Sequence, residues 1–306
     1  MLQQDDIFQE VVFEDFHQLM NWFSVTGDFH PYRKHYIFRG EGSDRFTLLP
    51  TALRPKLQKK VSFLGKTPSG DDGQEGNEYW QIISEYNILK DYYSLCDTNG
   101  IYLPDIKELR ESIHTEIDHK FTLSLMKWLP DYLWEIAGLA QHYGLPTRLL
   151  DWTYDYNVAL YFAAMTSVRD NDDSDYMVLW LLNIVHFEMY KQTEAQQPVV
   201  FIRPAYARNE NLTAQKGLFL LWPVEKKYFD PARETDREPL DEKIIRSYQT
   251  INNHSEFYKR SKVMYRLKIS KKLAGLVISH LDGIGYRTAT IYPGMDGIVK
   301  QMEQRF

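Results

Sequence analysis

Apolar residues recur at helical spacing in several parts of the chain. The first such segment predicts an amphipathic helix that ends near Gly27. Its apolar positions, three or four residues apart, are Phe13, Phe16, Met20 and Phe23. A later helix should end at Gly144, because glycine most readily adopts the left-handed conformation just beyond a helix. Helical spacing and capping patterns predict helices at 79–95, 105–125, 130–143, around 158–163, at 270–280 and from 296.

Short continuous apolar runs between these helices predict strands. Residues 36–40 form one such run, which stops at Gly40. Other runs predict strands or extended segments at 149–150, 176–182, 199–202, 217–222 and 263–269. Because the helix and strand signals mix without strict alternation, the pattern favours an α+β fold over a doubly wound one. The expected architecture is a mixed or antiparallel sheet with surrounding helices and a helical insertion.

One segment breaks the pattern of apolar positions. Residues 64–76 contain four glycines and no large apolar residue after Leu64, which predicts a flexible loop. This loop and the helices that follow it are expected to form an insertion over 64–130, and the chain is otherwise interpreted as a single domain over 1–306. The other predicted parts are core segments at 31–63 and 131–170 and a strand-rich half at 171–306.

The net charge, the lengths of the apolar runs and the absence of known motifs limit the kinds of binding partner and site that the chain is expected to have. The 306 residues carry 36 Lys and Arg against 42 Asp and Glu, a formal net charge of −6. Nucleic acid is therefore kept only as a minor alternative, because nucleic-acid surfaces neutralise phosphates with basic side chains. No apolar run, that from Met177 to Leu182 included, approaches the roughly 20 residues that cross a bilayer, so no membrane partner is expected. No GxSxG, P-loop, HExxH or CxxC motif occurs, and no metal site is predicted.

The number of cysteines indicates the cellular compartment in which the protein is expected. Cys96 is the single cysteine, so the chain cannot form an internal disulfide. A reducing compartment suits such a chain, and we expect a cytoplasmic location. Because Cys96 lies at the end of an apolar helical segment, it is interpreted as a buried structural thiol and not as a nucleophile.

Two segments are unusually dense in polar residues set among apolar ones. The first comprises Tyr36-Ile37-Phe38-Arg39-Gly40-Glu41 and, after a short interval, Leu48-Leu49-Pro50-Thr51-Ala52-Leu53-Arg54. The second runs from Ala140-Gln141-His142-Tyr143-Gly144-Leu145-Pro146-Thr147-Arg148-Leu149-Leu150-Asp151-Trp152-Thr153 to Asn157-Val158-Ala159-Leu160-Tyr161-Phe162-Ala163. Together they closely resemble the FRG domain family, whose Phe-Arg-Gly string and QHxGxPTRLLDWTxxxxxALYFA hallmark this chain matches almost letter for letter. The resemblance implies an architecture without an established activity, and a role in bacterial defence against phages or mobile elements.

The residues of these segments suggest a binding pocket. Arg39 stands at the end of an apolar strand, where the following Gly40 is expected to leave room for a ligand. Because a guanidinium suits phosphate or carboxylate, we predict a pocket for an anionic small molecule or a nucleotide where Arg39 meets the turn at 148–153. The candidate ligand-binding residues are Arg39, Gln141, His142, Arg148, Asp151, Thr153, Asn157 and Gln215. Among them, His142 is more typical of a structural histidine, and Gln141 either caps its helix or binds.

Structural roles compete with ligand binding at the other positions. Arg148 and Asp151 flank two leucines, so an ion pair between them could simply lock the turn. An ion pair between Asp151 and Arg39 could do the same. Thr153 is the expected N-cap of the helix that carries Asn157.

A second, looser likeness is to mono-ADP-ribosyltransferases of the toxin group. Those enzymes carry a strand-borne arginine in a Tyr-Arg-Gly-like string, then a Ser-Thr-Ser strand, then a helix of small residues. Here Phe38-Arg39-Gly40, Thr153 and the helix at 159–163 follow that order. The likeness implies NAD as the ligand or cofactor, with Arg39 and Asp151 as catalytic candidates.

This chain departs from the transferase pattern near its end. The family's acidic motif before a late strand, which would stabilise the transition state, is replaced here by Gln215-Lys216-Gly217. The string Gln301-Met302-Glu303 has a suitable spelling but is predicted to be helical. Three functions therefore stay open: a module that binds an anionic small molecule, a transferase-like or NAD-consuming enzyme, and a module that binds a protein partner.

Overall fold

A seven-stranded mixed sheet forms the centre of the fold in the computed structural model, which describes residues 4–68, 77–112, 127–170, 172–190, 199–207, 209–225, 233–250 and 261–304. The strands are β1 (Phe8–Phe13), β2 (Tyr36–Glu41), β3 (Lys127–Trp128), β4 (Leu150–Thr153), β5 (Tyr176–Asn183), β6 (Val200–Ile202), β7 (Gly217–Leu221), β8 (Val224–Glu225) and β9 (Met264–Ser270). In the large sheet their order is β1-β9-β5-β2-β4-β7-β6, and β3 pairs with β8 in a small second sheet. Strands β1 and β9 are parallel and the other pairs are antiparallel, which confirms the predicted α+β class.

Helices surround the sheet. They are α1 (Gln4–Ile7), α2 (Phe16–Phe23), α3 (Gln58–Gly65), α4 (Glu78–Thr98), α5 (Lys107–Ser112), α6 (Trp134–His142), α7 (Tyr156–Arg169), α8 (Ile184–Tyr190), α9 (Glu210–Ala214), α10 (Leu240–Gln249), α11 (Ala274–Gly283), α12 (Thr288–Ile291) and α13 (Met295–Glu303). Helix α6 is followed by Gly144, whose φ of 84° is left-handed, as predicted. Among the described residues, no helix combines the length and the hydropathy that crossing a membrane requires.

Strand β5 contains the continuous apolar run at 177–182. Met177 and Leu179 pack in a cluster with α2, α7 and α11. Val178 and Trp180 point to the opposite face, where α1, α8 and α10 cover the sheet. Because β5 lies between β9 and β2 and is buried on both faces, its sequence is continuously apolar instead of alternating.

A third cluster joins α4 to the rest of the molecule. Ile82 and Tyr86 of α4 pack with Ile136 of α6 and Phe219 of β7. Cys96, near the end of α4, is buried and forms no disulfide, as predicted. Parts of the predicted loop and insertion, residues 69–76 and 113–126, lie outside the described residues.

The prediction of one helix through the first apolar segment is wrong at its start. Phe13 has helical spacing to the residues that follow, but it ends strand β1 and is buried against the sheet. Helix α2 begins three residues later, because the Asp15 carboxylate accepts a hydrogen bond from the backbone N–H of Gln18 and so caps it. The parallel pairing of β1 with β9 is a contact over more than 250 residues, which the local spacing cannot reveal.

A buried histidine makes stability depend on pH. The ring Nε2 of His186 in α8 lies 2.7 Å from the carbonyl oxygen of Ser261, and burial lowers the pKa of His186 to about 4. The unfolded chain, with an imidazole pKa near 6.5, takes up the proton first as the pH falls. The contribution of the neutral His186 to the free energy of unfolding is therefore fully present above pH 6.5 and declines as the pH falls to about 4. At pH 5 the expected loss is roughly 2 kcal/mol relative to neutral pH. Urea unfolding of the parent chain and His186→Gln at pH 7.5 and 5 tests this, and equal losses in both proteins would refute it.

Candidate functional site

Strands β2 and β4 meet at one register pair and then separate. That pair is Phe38 and Thr153, and no other register pair joins β2 to β4 in the described part of the chain. A cavity of about 540 Å³ lies where they separate, lined by the ends of both strands, by α6 and α7, and by residues 209–219 and 292–300. This volume is typical of small-molecule sites, which range from about 300 to 1,000 Å³.

Arg39 spans the gap between the two strands. Its Nη1 donates a hydrogen bond of 2.7 Å to the backbone carbonyl of Asp151, at a place where a paired strand would otherwise supply the donor. Its Nε donates to Glu41 Oε1 at 2.8 Å, and Glu41 lies two residues along the same face of β2. The Asp151 carboxylate is 3.7 Å from Nη1 and 64% exposed. The anticipated contact between Asp151 and Arg39 is thus present, but Glu41 is the closer acidic partner.

The charge of Arg39 is largely balanced inside the protein. Burial alone would lower the pKa of the guanidinium, but the carboxylates of Glu41 and Asp151 outweigh burial and raise this pKa above its ordinary value. Arg39 therefore stays protonated. Because Glu41 already occupies two of its nitrogens, Arg39 can offer a ligand only its remaining N–H donors.

Gly40 serves helix packing. A Cβ atom at this position would lie 1.8 Å from the backbone carbonyl oxygen of Ala159 and 2.8 Å from the backbone nitrogen of Ala163, both in α7. The expectation that Gly40 leaves room for a ligand is therefore wrong, because helix α7 fills that room. The small residues of α7 and the glycine of β2 together allow the two backbones to approach closely.

Arg148 lies away from the cavity. Its side chain is 3% exposed, and its Nε bonds to the two carboxylate oxygens of Glu85 at 2.8 and 2.7 Å. Its Nη2 bonds to Glu78, which lies two turns before Glu85 in α4. The predicted Arg148–Asp151 ion pair is wrong, because these two buried carboxylates of α4 take the guanidinium. Arg148 holds the beginning of β4 against α4 and so positions the cavity wall without lining it.

The helix cap that was assigned to Thr153 belongs to Asp155. The carboxylate of Asp155 accepts a hydrogen bond of 3.0 Å from the backbone N–H of Asn157, at the first turn of α7. Thr153 instead links two segments of the cavity wall. Its hydroxyl donates to the backbone carbonyl of Gln215 at 2.6 Å and accepts from the Asp155 N–H at 3.0 Å. Thr153 therefore helps to position the backbone of Gln215 in the cavity wall.

The remaining candidates divide between the cavity and its surroundings. Gln141, His142 and Gln215 line the cavity, whereas Asn157 does not. The ring Nε2 of His142 is 3.0 Å from the Asn211 side-chain amide, and desolvation lowers the pKa of His142, so the imidazole is neutral at pH 7. Among the described residues, the amide nitrogen of Gln141 and the amide oxygen of Gln215 have no hydrogen-bond partner, so each is available to a ligand.

Other cavity residues were missed from the sequence. Lys300 of α13 lies 4.6 Å above the ring of Tyr292, and both line the cavity. Lys300 forms no ion pair with any residue in the described ranges. Nothing local marks these residues as part of a site. Arg54, by contrast, ends a segment that the family resemblance had already singled out, and it lines a smaller cavity beside Arg39.

Comparison with known protein families assigns one region of the chain to a family. A family model for the FRG domain matches residues 34–173. No curated protein matched the chain, and no solved structure did. The matched region includes β2, β4 and α7, which form one side of the cavity. The opposite side, residues 209–219 and 292–300, comes from beyond the match.

Proposed function

We propose that this chain, which carries an FRG domain at residues 34–173, binds a phosphate-containing small molecule of nucleotide size in the cavity beside Arg39. The observation that carries the proposal is the composition of the cavity wall. It combines aromatic surfaces with uncharged hydrogen-bonding groups and cationic side chains, as a base, a sugar and a phosphate together require. Arg39 and Lys300 supply the positive charges, and Asp151 and Asp296 are the carboxylates of the wall.

Aromatic rings suit the planar part of such a ligand. Phe162 and Tyr292 meet edge to face with centroids 6.1 Å apart, and both line the cavity. A base can pack against either ring. The free amide groups of Gln141 and Gln215 add one donor and one acceptor for its edge or for a ribose hydroxyl.

Lys300 provides the first test. We expect Lys300→Gln to weaken ATP binding about ten-fold, because a hydrogen bond to a charged group contributes roughly 1.5 kcal/mol. Lys59→Gln removes the same charge from an exposed residue outside the cavity and should leave affinity unchanged. The measurement is calorimetric titration of both variants and the parent chain with ATP, ADP-ribose and NAD. Absence of binding to the parent chain by all three would refute the proposal and direct attention to protein partners.

A second candidate function is NAD consumption of the ADP-ribosyltransferase type. It is favoured by the convergence of Arg39, Thr153 and Gln215 on one cavity, because these lie in the three segments that the looser likeness compares. The exposed Asp151 carboxylate is the acid nearest to Arg39 on this wall, whereas Gln301-Met302-Glu303 is helical, as predicted. The same titration with NAD, followed by measurement of released nicotinamide, separates binding from turnover. NAD bound without nicotinamide release would exclude the enzymatic candidate for the isolated chain.

A further inference from the structure

We propose that a second, smaller cavity binds the phosphate group of the ligand through Arg54 and Lys60. This cavity has a volume of about 200 Å³ and shares Arg39, Gln141 and Asp151 with the larger one. It is smaller than sites that hold whole small molecules, so it suits one end of a ligand whose remainder lies next door. The inference deepens the proposed function and rests on it for the identity of the ligand.

Arg54 forms no ion pair with any residue in the described part of the chain. Its Nε donates a hydrogen bond of 3.1 Å to the backbone carbonyl of Leu49, which fixes the guanidinium at the cavity wall. Within the described ranges, its two terminal nitrogens have no hydrogen-bond acceptor and no carboxylate lies within ion-pair distance. The side chain is half-buried, and burial is the main cause that lowers the pKa of Arg54; the charge of Arg39 also lowers this pKa, whereas the carboxylates of Glu41 and Asp151 raise it without reversing the shift. A bound anion would accept hydrogen bonds from these terminal nitrogens, and such bonds between charged groups are stronger than neutral ones.

Lys60 and Gln141 complete the set of donors. Lys60 lies in the first turn of α3, is exposed, and forms no ion pair with a described residue. Gln141 lines both cavities, and its amide nitrogen has no hydrogen-bond partner among the described residues. Apolar side chains such as Leu57 and Leu145 form the rest of the wall. They lower the local dielectric and so strengthen the attraction between an anion and these cations.

Charge distinguishes the two cavities. Beyond Arg39 and Asp151, which line both cavities, the smaller one is lined by the cations Arg54 and Lys60 and by no further carboxylate among the described residues. The larger one has Arg39 and Lys300 against two carboxylates, of Asp151 and Asp296, and its histidine is neutral. A doubly charged terminal phosphate is therefore favoured at Arg54, with the base, the sugar and the phosphate next to the sugar in the larger cavity, where Lys300 lies.

Calorimetric titrations with ATP, adenosine and inorganic pyrophosphate test the assignment. We expect Arg54→Gln to weaken ATP and pyrophosphate binding at least ten-fold, and Lys60→Gln to weaken both about three-fold or more. Lys59→Gln is the matched control, since Lys59 is the preceding residue of the same helix, is exposed and lines neither cavity. Adenosine affinity should be equal in all four proteins, which a general loss of structure would not allow. The exposed position of Lys60 keeps the test valid if Arg54→Gln folds poorly.

The outcomes separate this inference from the proposed function. If Arg54→Gln and Lys60→Gln bind ATP as tightly as Lys59→Gln does, the phosphate assignment is overturned and the proposed function stands. In a second outcome, pyrophosphate binding depends on Arg54 and Lys60, ATP binds no more tightly than pyrophosphate, and adenosine does not bind. That outcome would support the anion site and overturn the proposal that the ligand is a nucleotide. Failure of both ATP and pyrophosphate to bind the parent chain would overturn both.

Discussion

Gly40→Ala should be among the most destabilising single substitutions in this chain. The added methyl group would lie 1.8 Å from the Ala159 carbonyl oxygen, and the atoms it meets belong to the backbone of α7, so no side chain can rotate away. Helix α7 would have to move off β2, with loss of the packing between Phe38 and the helix. Overpacking in a core costs about 1–3 kcal/mol and occasionally more, and we expect at least the upper value here. Urea unfolding at neutral pH measures the loss.

The control is the same substitution at a glycine with open space around it. Gly275 lies in the first turn of α11, and a Cβ atom there would meet no atom within 4 Å. Gly275→Ala should be neutral or stabilising by up to about 1 kcal/mol, because alanine has the higher helix propensity. A Gly40→Ala chain that unfolds at the same urea concentration as the parent would show that α7 and β2 do not pack as closely as described.

Arg148→Met should cost about 3–5 kcal/mol at pH 7, because it leaves two buried carboxylates without their cation. Glu78 and Glu85 are 1% and 4% exposed, so neither can gain water in exchange. Glu85 keeps hydrogen bonds from Gln81 at 2.7 Å and Trp128 at 2.6 Å, which support its charge only in part. Burial already raises the pKa of Glu85 against the effect of Arg148, and removal of the arginine raises it further. The deficit should therefore shrink as the pH falls and the orphaned carboxylates take up protons.

Two further variants identify the cause of this loss. Adding Glu78→Gln and Glu85→Gln to Arg148→Met removes the unpaired charges and should restore most of the lost stability at pH 7. Arg169→Met removes an arginine that pairs with Asp170 on the surface, with side chains 76% and 41% exposed, and should change stability by less than about 1 kcal/mol. Urea unfolding of the parent chain and the three variants at pH 7 and 5 makes the comparison. An Arg148→Met deficit that is the same at both pH values would contradict the orphaned-carboxylate account.

The elements of the sheet were largely predictable because each has a local signal. The apolar runs at 36–40 and 176–182 correspond to β2 and β5, the central strands. The left-handed Gly144 was predictable because a helix end needs a residue of that type. Strand β1 was missed, because helical spacing through Phe13 imitated a longer helix and the pairing partner of β1 lies at the other end of the chain.

The candidate site was predictable mainly on the side that the motif segments form, and Gln215 was the one candidate named from the opposite side. Gln141, Asp151 and Thr153 line the cavity because they belong to motif segments that are continuous in sequence. Glu41 could have been identified as the partner of Arg39, because residues two apart in a strand share a face. Lys300 could not be identified, because its helix α13 lies more than 250 residues after Arg39 in sequence and carries no local motif.

The amino-acid sequence by itself determined the fold class, the central strands, the FRG motif segments and the place of Arg39 in a strand, although β2 continues through Gly40 and Glu41 instead of stopping at the glycine. These follow from hydrophobic periodicity and turn chemistry, which act over a few residues. The tertiary structure alone decided which partner each charged group takes. It directed Arg148 to Glu78 and Glu85 of α4, and it left Arg54 without a described acidic partner. Charge pairing depends on distance in space and on burial, and segments far apart in sequence determine both.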